Sequence, residues 1–303
     1  MTTAFKSLFD LLKVIPDEQS AVDHFTAIRW RNGAFCPLCG STRVNHFSDK
    51  RTHKCGDCRK RFSIKVGTVF ENTKIPMQKW LMAIWMLTSH KKGIASTTLA
   101  RDIDVTQKTA WFMLHRLRHA AVTDSFNAPL IGEVEVDETY VGGKAHNRHK
   151  GDPKNGPGTF GKTAVIGAIS RGGEIVATVI ERTDTETLDG FVHAVVAPSA
   201  TVSTDEHSGY RHLGRTFKHG VVRHGAGEYV NGNHHTNSIE GYWSLLKRQI
   251  VGIHHWVSPK HLDRYVDEMT WRFNRRNQED GDRLNSLIAF TSERRLTYKE
   301  LIA

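Results

Sequence analysis

Three oxygen-bearing side chains, far apart in the chain, carry the chemistry this sequence offers. In Glu133-Val134-Glu135-Val136-Asp137-Glu138-Thr139-Tyr140 apolar and polar residues alternate as in a strand. Asp137 and Glu138 therefore face opposite sides near its end, and one of them can point into a site. The run Ala200-Thr201-Val202-Ser203-Thr204-Asp205-Glu206 repeats the arrangement, an apolar strand closed by an acidic end, and offers Asp205. The third candidate is Glu240, in a segment where helical spacing aligns Asn237, Glu240, Ser244 and Lys247 on one polar face. Hard oxygen ligands converging from separate elements are what Mg²⁺ requires, and a pair of such ions can activate an attacking oxygen and stabilise a leaving one at phosphorus. Taken singly, each residue has a plainer reading: a strand-end acid, or, for Asn237-x-x-Glu240, a helix capping box.

A second constellation is sulfur. The chain has four cysteines, Cys36 and Cys39, then Cys55 and Cys58 after fifteen intervening residues. Two such pairs fit a tetrahedral zinc ion whose four thiolates leave no open position, so the metal holds the fold and does no chemistry. Gly40 and Gly56 supply freedom for the turns, and Phe35 and Phe62 are candidates for a small core. Arg43, Lys50, Arg51, Lys54, Arg59, Lys60 and Arg61 surround this module as a solvated face or as contacts to phosphates.

The elements that must position these groups follow from periodicity. Phe5, Leu8, Phe9 and Leu12, then Ala21, Phe25 and Ile28, recur at helical intervals. Gly93–Ala120 reads as helix, turn, helix, with Thr106 capping the second. On that helix Trp111, Leu114, His115 and Arg118 pack, while Lys108, Thr109 and Arg116 are free to enter a major groove. Short β-rich runs then alternate with Gly-rich turns and one helical stretch near 185–196, the order of a mixed α/β domain. The organisation expected is a helical segment at 1–32, a zinc ribbon at 33–72, a helix-turn-helix region at 73–124, an α/β domain at 128–278 and a tail at 279–303. Gly142-Gly143-Lys144 reads as a β-turn into a loop at 145–162 whose KAHNRHKGDPKNGPG stretch is basic enough to lie on DNA. His234, His235, His254 and His255 are read as surface or DNA-contacting residues, and Trp243 and Trp271 as core.

The balance of charge agrees with a polyanionic partner. Lys and Arg outnumber Asp and Glu, giving a formal charge of +10 and a pI near 9.5, which favours nucleic acid. No apolar run is long enough to span a membrane and no signal-peptide pattern opens the sequence, so a cytoplasmic, nucleoid-associated protein is expected.

Together, VDETYVGGK, TDEHSGY and HTNSIEGYWSLLKRQIVGIHHWVSPKHLDRYVDEMTWRFNRR closely resemble the zinc-ribbon DDE transposases of bacterial insertion sequences, in the Merlin-related group (insertion-sequence family 1595). The resemblance implies an RNase H-like (DDE integrase) fold with Asp137, Asp205 and Glu240 as the catalytic triad holding Mg²⁺ or Mn²⁺, and Lys247 positioning the DNA end. Members of the group differ over the third ligand, some using Asn, so Asn237 stands beside Glu240 as a candidate. A charged carboxylate holds Mg²⁺ better than an amide, which favours Glu240. Terminal inverted repeats, target DNA and a homo-oligomer are the partners implied. Two rivals remain: a transposase-derived regulator that binds DNA without cutting it, and an RNase H-like nuclease indifferent to inverted repeats.

Overall fold

In the computed structural model, which describes residues 5–122, 128–143 and 158–303, the chain divides into two units. One runs to Ala121 and resumes at Asn277–Ala303, and the other is Val122–Arg276.

The first unit opens with helices α1 (Leu8–Val14) and α2 (Glu18–Arg29). Each starts where a short polar side chain meets its first turn: Ser7 accepts from Asp10 N at 3.1 Å, and Asp17 and Ser20 form a reciprocal capping box. Strands β1 (Val44–His46), β2 (Thr52–Cys55) and β3 (Arg61–Ser63) follow as an antiparallel sheet in that order. Phe62 packs with the buried Cys36 and Cys55, and Trp30, not the expected Phe35, completes that small core. Phe35 lies under the Arg29 guanidinium instead.

Helix α3 (Met77–Ser89) buries residues all round, as its apolar sequence requires. Helices α4 (Ser96–Asp102) and α5 (Gln107–Ala120) are joined by residues 103–106, and Thr106 caps α5 by accepting from Thr109 N at 3.2 Å. Beyond its first turn α5 is enclosed, which corrects the expectation for Arg116. That side chain is only 7% exposed and donates to Leu296 O and Glu71 O, both at 3.1 Å. Met113, Leu114, His115, Leu117 and Arg118 are buried with it, and consecutive helical positions lie on all sides of the helix, so no face is left free there.

The second unit is a five-stranded sheet in the order β6-β5-β4-β7-β8, made of β4 (Glu133–Val141), β5 (Thr163–Ser170), β6 (Ile175–Ile180), β7 (Thr201–Thr204) and β8 (Lys218–Val221). The first three are antiparallel neighbours, while β7 and β8 run parallel to β4. Helix α6 (Thr185–Val195), capped by Asp184, covers one face. There Leu188, Val192 and Val195 meet Val134, Val136, Ile166 and Val202. Helices α7 (Asn237–Gln249) and α8 (Leu262–Asn274) cover the other, where Ile239, Trp243, Leu246 and Met269 meet Val141, Val165 and Ile169. The period of two thus sorts β4: Val134 and Val136 face α6, while Glu135, Asp137 and Val141 face α7.

The segment 279–303, expected as a C-terminal tail, carries two helices that group with the first unit. Helices α9 (Asp280–Ala289) and α10 (Tyr298–Ile302) bury Leu284, Leu287, Ile288 and Leu301 within the first unit. The apolar period in 284–288 is what a tail lacks. Lys144 and most of the basic loop expected at 145–162 lie outside the described residues. Among the described residues no helix is long and apolar enough to cross a membrane.

Candidate active site

The four cysteine sulfurs lie within 4.8 Å of one another, with Cys36 to Cys58 at 3.8 Å and Cys39 to Cys55 at 3.6 Å. Zinc bound tetrahedrally to thiolates at about 2.3 Å has sulfur–sulfur edges of about 3.8 Å, so the donor set fits that ion. The backbone N–H groups of Asp57 and Cys58 point at Cys55 Sγ from 3.3 and 3.4 Å, the orientation that stabilises a thiolate. The residue after each pair, Gly40 (φ 76°) and Arg59 (φ 60°), is left-handed. Gly56, expected to supply that freedom, serves another purpose: a Cβ there would meet Arg43 Cβ at 3.1 Å. Of the basic residues around the module, Arg43 pairs with Asp57 at 2.7 Å.

In the second unit, the parallel pairing of β4 with β7 ends at Glu135↔Ser203, so the strand beyond is open on that side and Asp205, just past β7, comes to lie by Asp137. Carboxylate oxygens of Asp137, Glu138 and Asp205 lie within 4.8 Å of one another. Asp137 and Glu138 do take opposite sides of β4. Asp137 accepts from Trp243 Nε1 of α7 at 3.0 Å, and Glu138 accepts from the hydroxyl of Tyr210, on the α6 side, at 2.7 Å. Both reach the cluster because they stand where β7 has stopped. Gly167, opposite Asp137 on β5, leaves room for the indole: a Cβ would sit 2.9 Å from Trp243 Cη2.

The cluster forms one end of a cavity of about 380 Å³ lined also by Thr139, His224, Thr236, Glu240, Trp243, Ser244 and Lys247. Asp137, Asp205, Glu240 and Lys247, all sequence candidates, thus share one cavity. Glu240 stands on its α7 wall, outside the three-carboxylate cluster, accepting from Thr236 Oγ1 at 3.0 Å with His224 Nε2 3.6 Å away. Asn237, at the start of α7, is exposed and absent from that lining. No capping box joins it to Glu240, since α7 has no side-chain cap from its own N-terminus.

Electrostatics set the character of the cluster. Burial, then the charges of Glu138 and Asp205, push Asp137 from 3.8 up to about 7, against the opposing hydrogen bond from Trp243. Burial also raises Glu138, opposed by its Tyr210 hydrogen bond. Crowded acids with no cation among them resist ionising, and a divalent ion among hard oxygens relieves that resistance. The donor chemistry therefore fits Mg²⁺ or Mn²⁺ and not a thiophilic metal.

Sequence reasoning leaves open or misses the part played by Glu138, Trp243 and His224 in the cavity lining, and by Tyr210, which lies behind Glu138. Glu138 was one of two alternatives, and Tyr210 carried a signal only in following Asp205 closely within TDEHSGY. Trp243 is core, as expected, yet its Nε1–H also orients Asp137. His224 lies in a segment with no periodicity, tied in by Gly225 N donating to Glu206 at 2.8 Å.

Comparison with known proteins agrees with this arrangement. Residues 129–274 match the model of the ISXO2-like transposase domain, and residues 16–61 match that of the transposase zinc-ribbon domain. A Halobacterium salinarum protein, described as an uncharacterized protein in transposable element ISH50, is 31% identical over 263 residues, covering 82% of this chain and 86% of the relative. With the zinc ribbon and the acidic domain matched in chain order, the chain belongs to the ISXO2-like transposases of insertion-sequence family 1595.

Proposed function

We propose that this transposase binds the terminal inverted repeats of its insertion sequence, cuts the element's ends and joins them to target DNA in one divalent-metal site. The observation that carries the reading is the shared cavity of Asp137, Asp205, Glu240 and Lys247, with Glu138 beside them. Asp137, Glu138, Asp205 and Glu240 would hold Mg²⁺ or Mn²⁺, which when bound supplies Lewis-acid polarisation of a phosphodiester and lowers the pKa of an attacking hydroxyl.

The chain's own residues have separate tasks. Trp243 fixes the Asp137 carboxylate, Tyr210 fixes Glu138, and Lys247 offers an ammonium to a phosphate oxygen of the scissile strand. In cleavage, water attacks phosphorus, the bond to the 3′-oxygen breaks, and that oxygen leaves as a 3′-hydroxyl. In joining, this hydroxyl attacks a target phosphodiester and releases a target 3′-hydroxyl, so the same bond type is exchanged twice and no covalent protein intermediate is required.

The strand order, with three antiparallel strands followed by two parallel ones and helices on both faces, supports an RNase H-like catalytic fold. Helices α4 and α5 read as a helix-turn-helix whose reading surface is the first turn of α5. Gln107 and Lys108 are exposed there, and Lys74 and Lys108 line one cavity beside Thr109, a cationic surface suited to phosphates. Four thiolates saturate zinc, so that ion is structural. Two ends must be held together, which calls for a homo-oligomer on DNA.

The test is incubation of the purified protein with duplexes carrying its flanking repeats and Mg²⁺. Nicks that leave a 3′-hydroxyl at the repeat end, absent in Asp137→Ala and Asp205→Ala, are expected. Tight binding without nicks would favour the regulator, and cutting indifferent to repeats would favour the nuclease.

A further inference from the structure

Glu135 lies two residues before Asp137 on the same face of β4, and its side chain is 0% exposed. A lone buried carboxylate is costly, and this one is matched by donors from two segments, Arg171 and the start of α7. Its Oε2 accepts from Ser238 N at 2.7 Å and Ile239 N at 3.1 Å. Its Oε1 accepts from Ser238 Oγ at 3.0 Å and Arg171 Nε at 2.8 Å, with His235 Nδ1 at 3.1 Å. Arg171 in turn donates to His235 O at 3.3 Å, just ahead of α7.

Helix α7 has no side-chain cap of its own. Two N–H groups of its first turn, those of Ser238 and Ile239, are satisfied from across the fold by Glu135, a negative charge at the positive end of the helix. The spacing matches a second attachment. Two residues along β4 span about 6.6 Å, and the four from Ile239 to Trp243 rise about 6 Å along α7. Glu135 therefore holds the start of the helix while Asp137 receives Trp243 Nε1. Glu240 follows Ile239 directly and lies between the two attachments, and Lys247 lies one turn beyond the second.

We propose that Glu135 is a positioning residue: it caps α7 from β4 and so sets Glu240 and Lys247 against the Asp137–Asp205 pair. The proposal rests on the divalent-metal reading of the cavity. Glu135 is buried and absent from the cavity lining, so it acts through Glu240 and Lys247.

The test is Mn²⁺ binding to the full-length zinc-loaded protein, read by electron paramagnetic resonance, for wild type, Glu135→Gln, Glu240→Gln and the double variant, with end-cleavage kinetics alongside. Glu135→Gln is expected to raise the Mn²⁺ half-saturation at least tenfold and lower kcat about 100-fold. KM for the DNA end should stay within threefold. In the Glu240→Gln background it should change Mn²⁺ binding less than twofold, because the partner it positions is already gone. A merely structural role would add the two losses. If Glu135→Gln does not fold, Ser238→Ala, which removes one donor to the same carboxylate, is measured in both backgrounds, and the same non-additivity is expected at three- to fivefold. Additive losses, or a folded Glu135→Gln with wild-type Mn²⁺ binding, overturn the inference while leaving the metal reading intact. A wild-type protein that binds no Mn²⁺, or whose binding survives Asp137→Asn, overturns both.

Discussion

Asp137→Asn should stabilise the second unit when no divalent ion is bound. The carboxyl of Asp137 is pushed from 3.8 up to about 7, by burial first and by Glu138 and Asp205 second. The sign follows from proton counts. Below pH 3.8 the group is neutral in both states and contributes nothing. Between 3.8 and about 7 the unfolded chain gives up the proton that the folded one keeps, so stability falls as pH rises, and above 7 the whole penalty is present. About three pKa units at 1.36 kcal/mol each make roughly 4 kcal/mol, an upper bound, because Glu138 shares the repulsion. Asparagine keeps the shape, carries no charge and offers an oxygen to Trp243 Nε1. A gain of about 2–4 kcal/mol at pH 8 is expected, or some 5–10 °C in Tm for a domain of this size. The assay is thermal unfolding followed by near-ultraviolet circular dichroism in metal-depleted buffer without EDTA, which would strip the cysteine site. The gain should shrink at pH 4.5, and millimolar Mg²⁺ should reverse the order by stabilising only the wild type. A variant no more stable than wild type at pH 8 without metal would refute the electrostatic account of the cluster.

Three other outcomes follow from the geometry. Replacing Lys74 and Lys108 together by Ala should weaken binding to the repeat duplex and lower the slope of log K against log salt by about 1.8, measured by fluorescence anisotropy across salt. Arg116→Ala should behave oppositely: the carbonyls of Leu296 and Glu71 lose their donor, costing about 2–3 kcal/mol in unfolding experiments, with the salt slope unchanged. Cys55→Ser should release the zinc, quantified with a colorimetric chelator, and unfold β1–β3 as judged by proteolysis within 33–66, because thiolate ligation and the small Phe62 core are what that sheet has to hold it.

How far the molecule could be read from its residues depended on how local each cause is. Strands β4, β5, β6 and β7, helix α6 and the Thr106 cap are set by period and capping within a dozen residues, and the cysteine spacing is likewise a local pattern. Strand β8 left no such trace, since Lys218-His219-Gly220-Val221 is short, polar and at a sheet edge, paired along one side with β7. The burial of Arg116 was equally hidden, because its two acceptors come from residues 45 and 180 positions away in the chain.

The acidic site shows the same division. Period two correctly sends Asp137 and Glu138 to opposite sides of β4, yet it cannot say that β7 stops beside them, and that stop is what lets both carboxylates meet Asp205. Helical period puts Asn237 and Glu240 on one face and cannot choose between them. Of the two, Glu240 lines the cavity and Asn237 does not, and the N–H groups between them, those of Ser238 and Ile239, donate to Glu135 of another element. With that contact at Ser238 and Ile239, both Asn237 and Glu240 are exposed, and Glu240, one turn further along the helix, falls on the cavity wall. Which of these two side chains lines the cavity therefore goes with a strand-to-helix contact, and no pattern within α7 alone contains it.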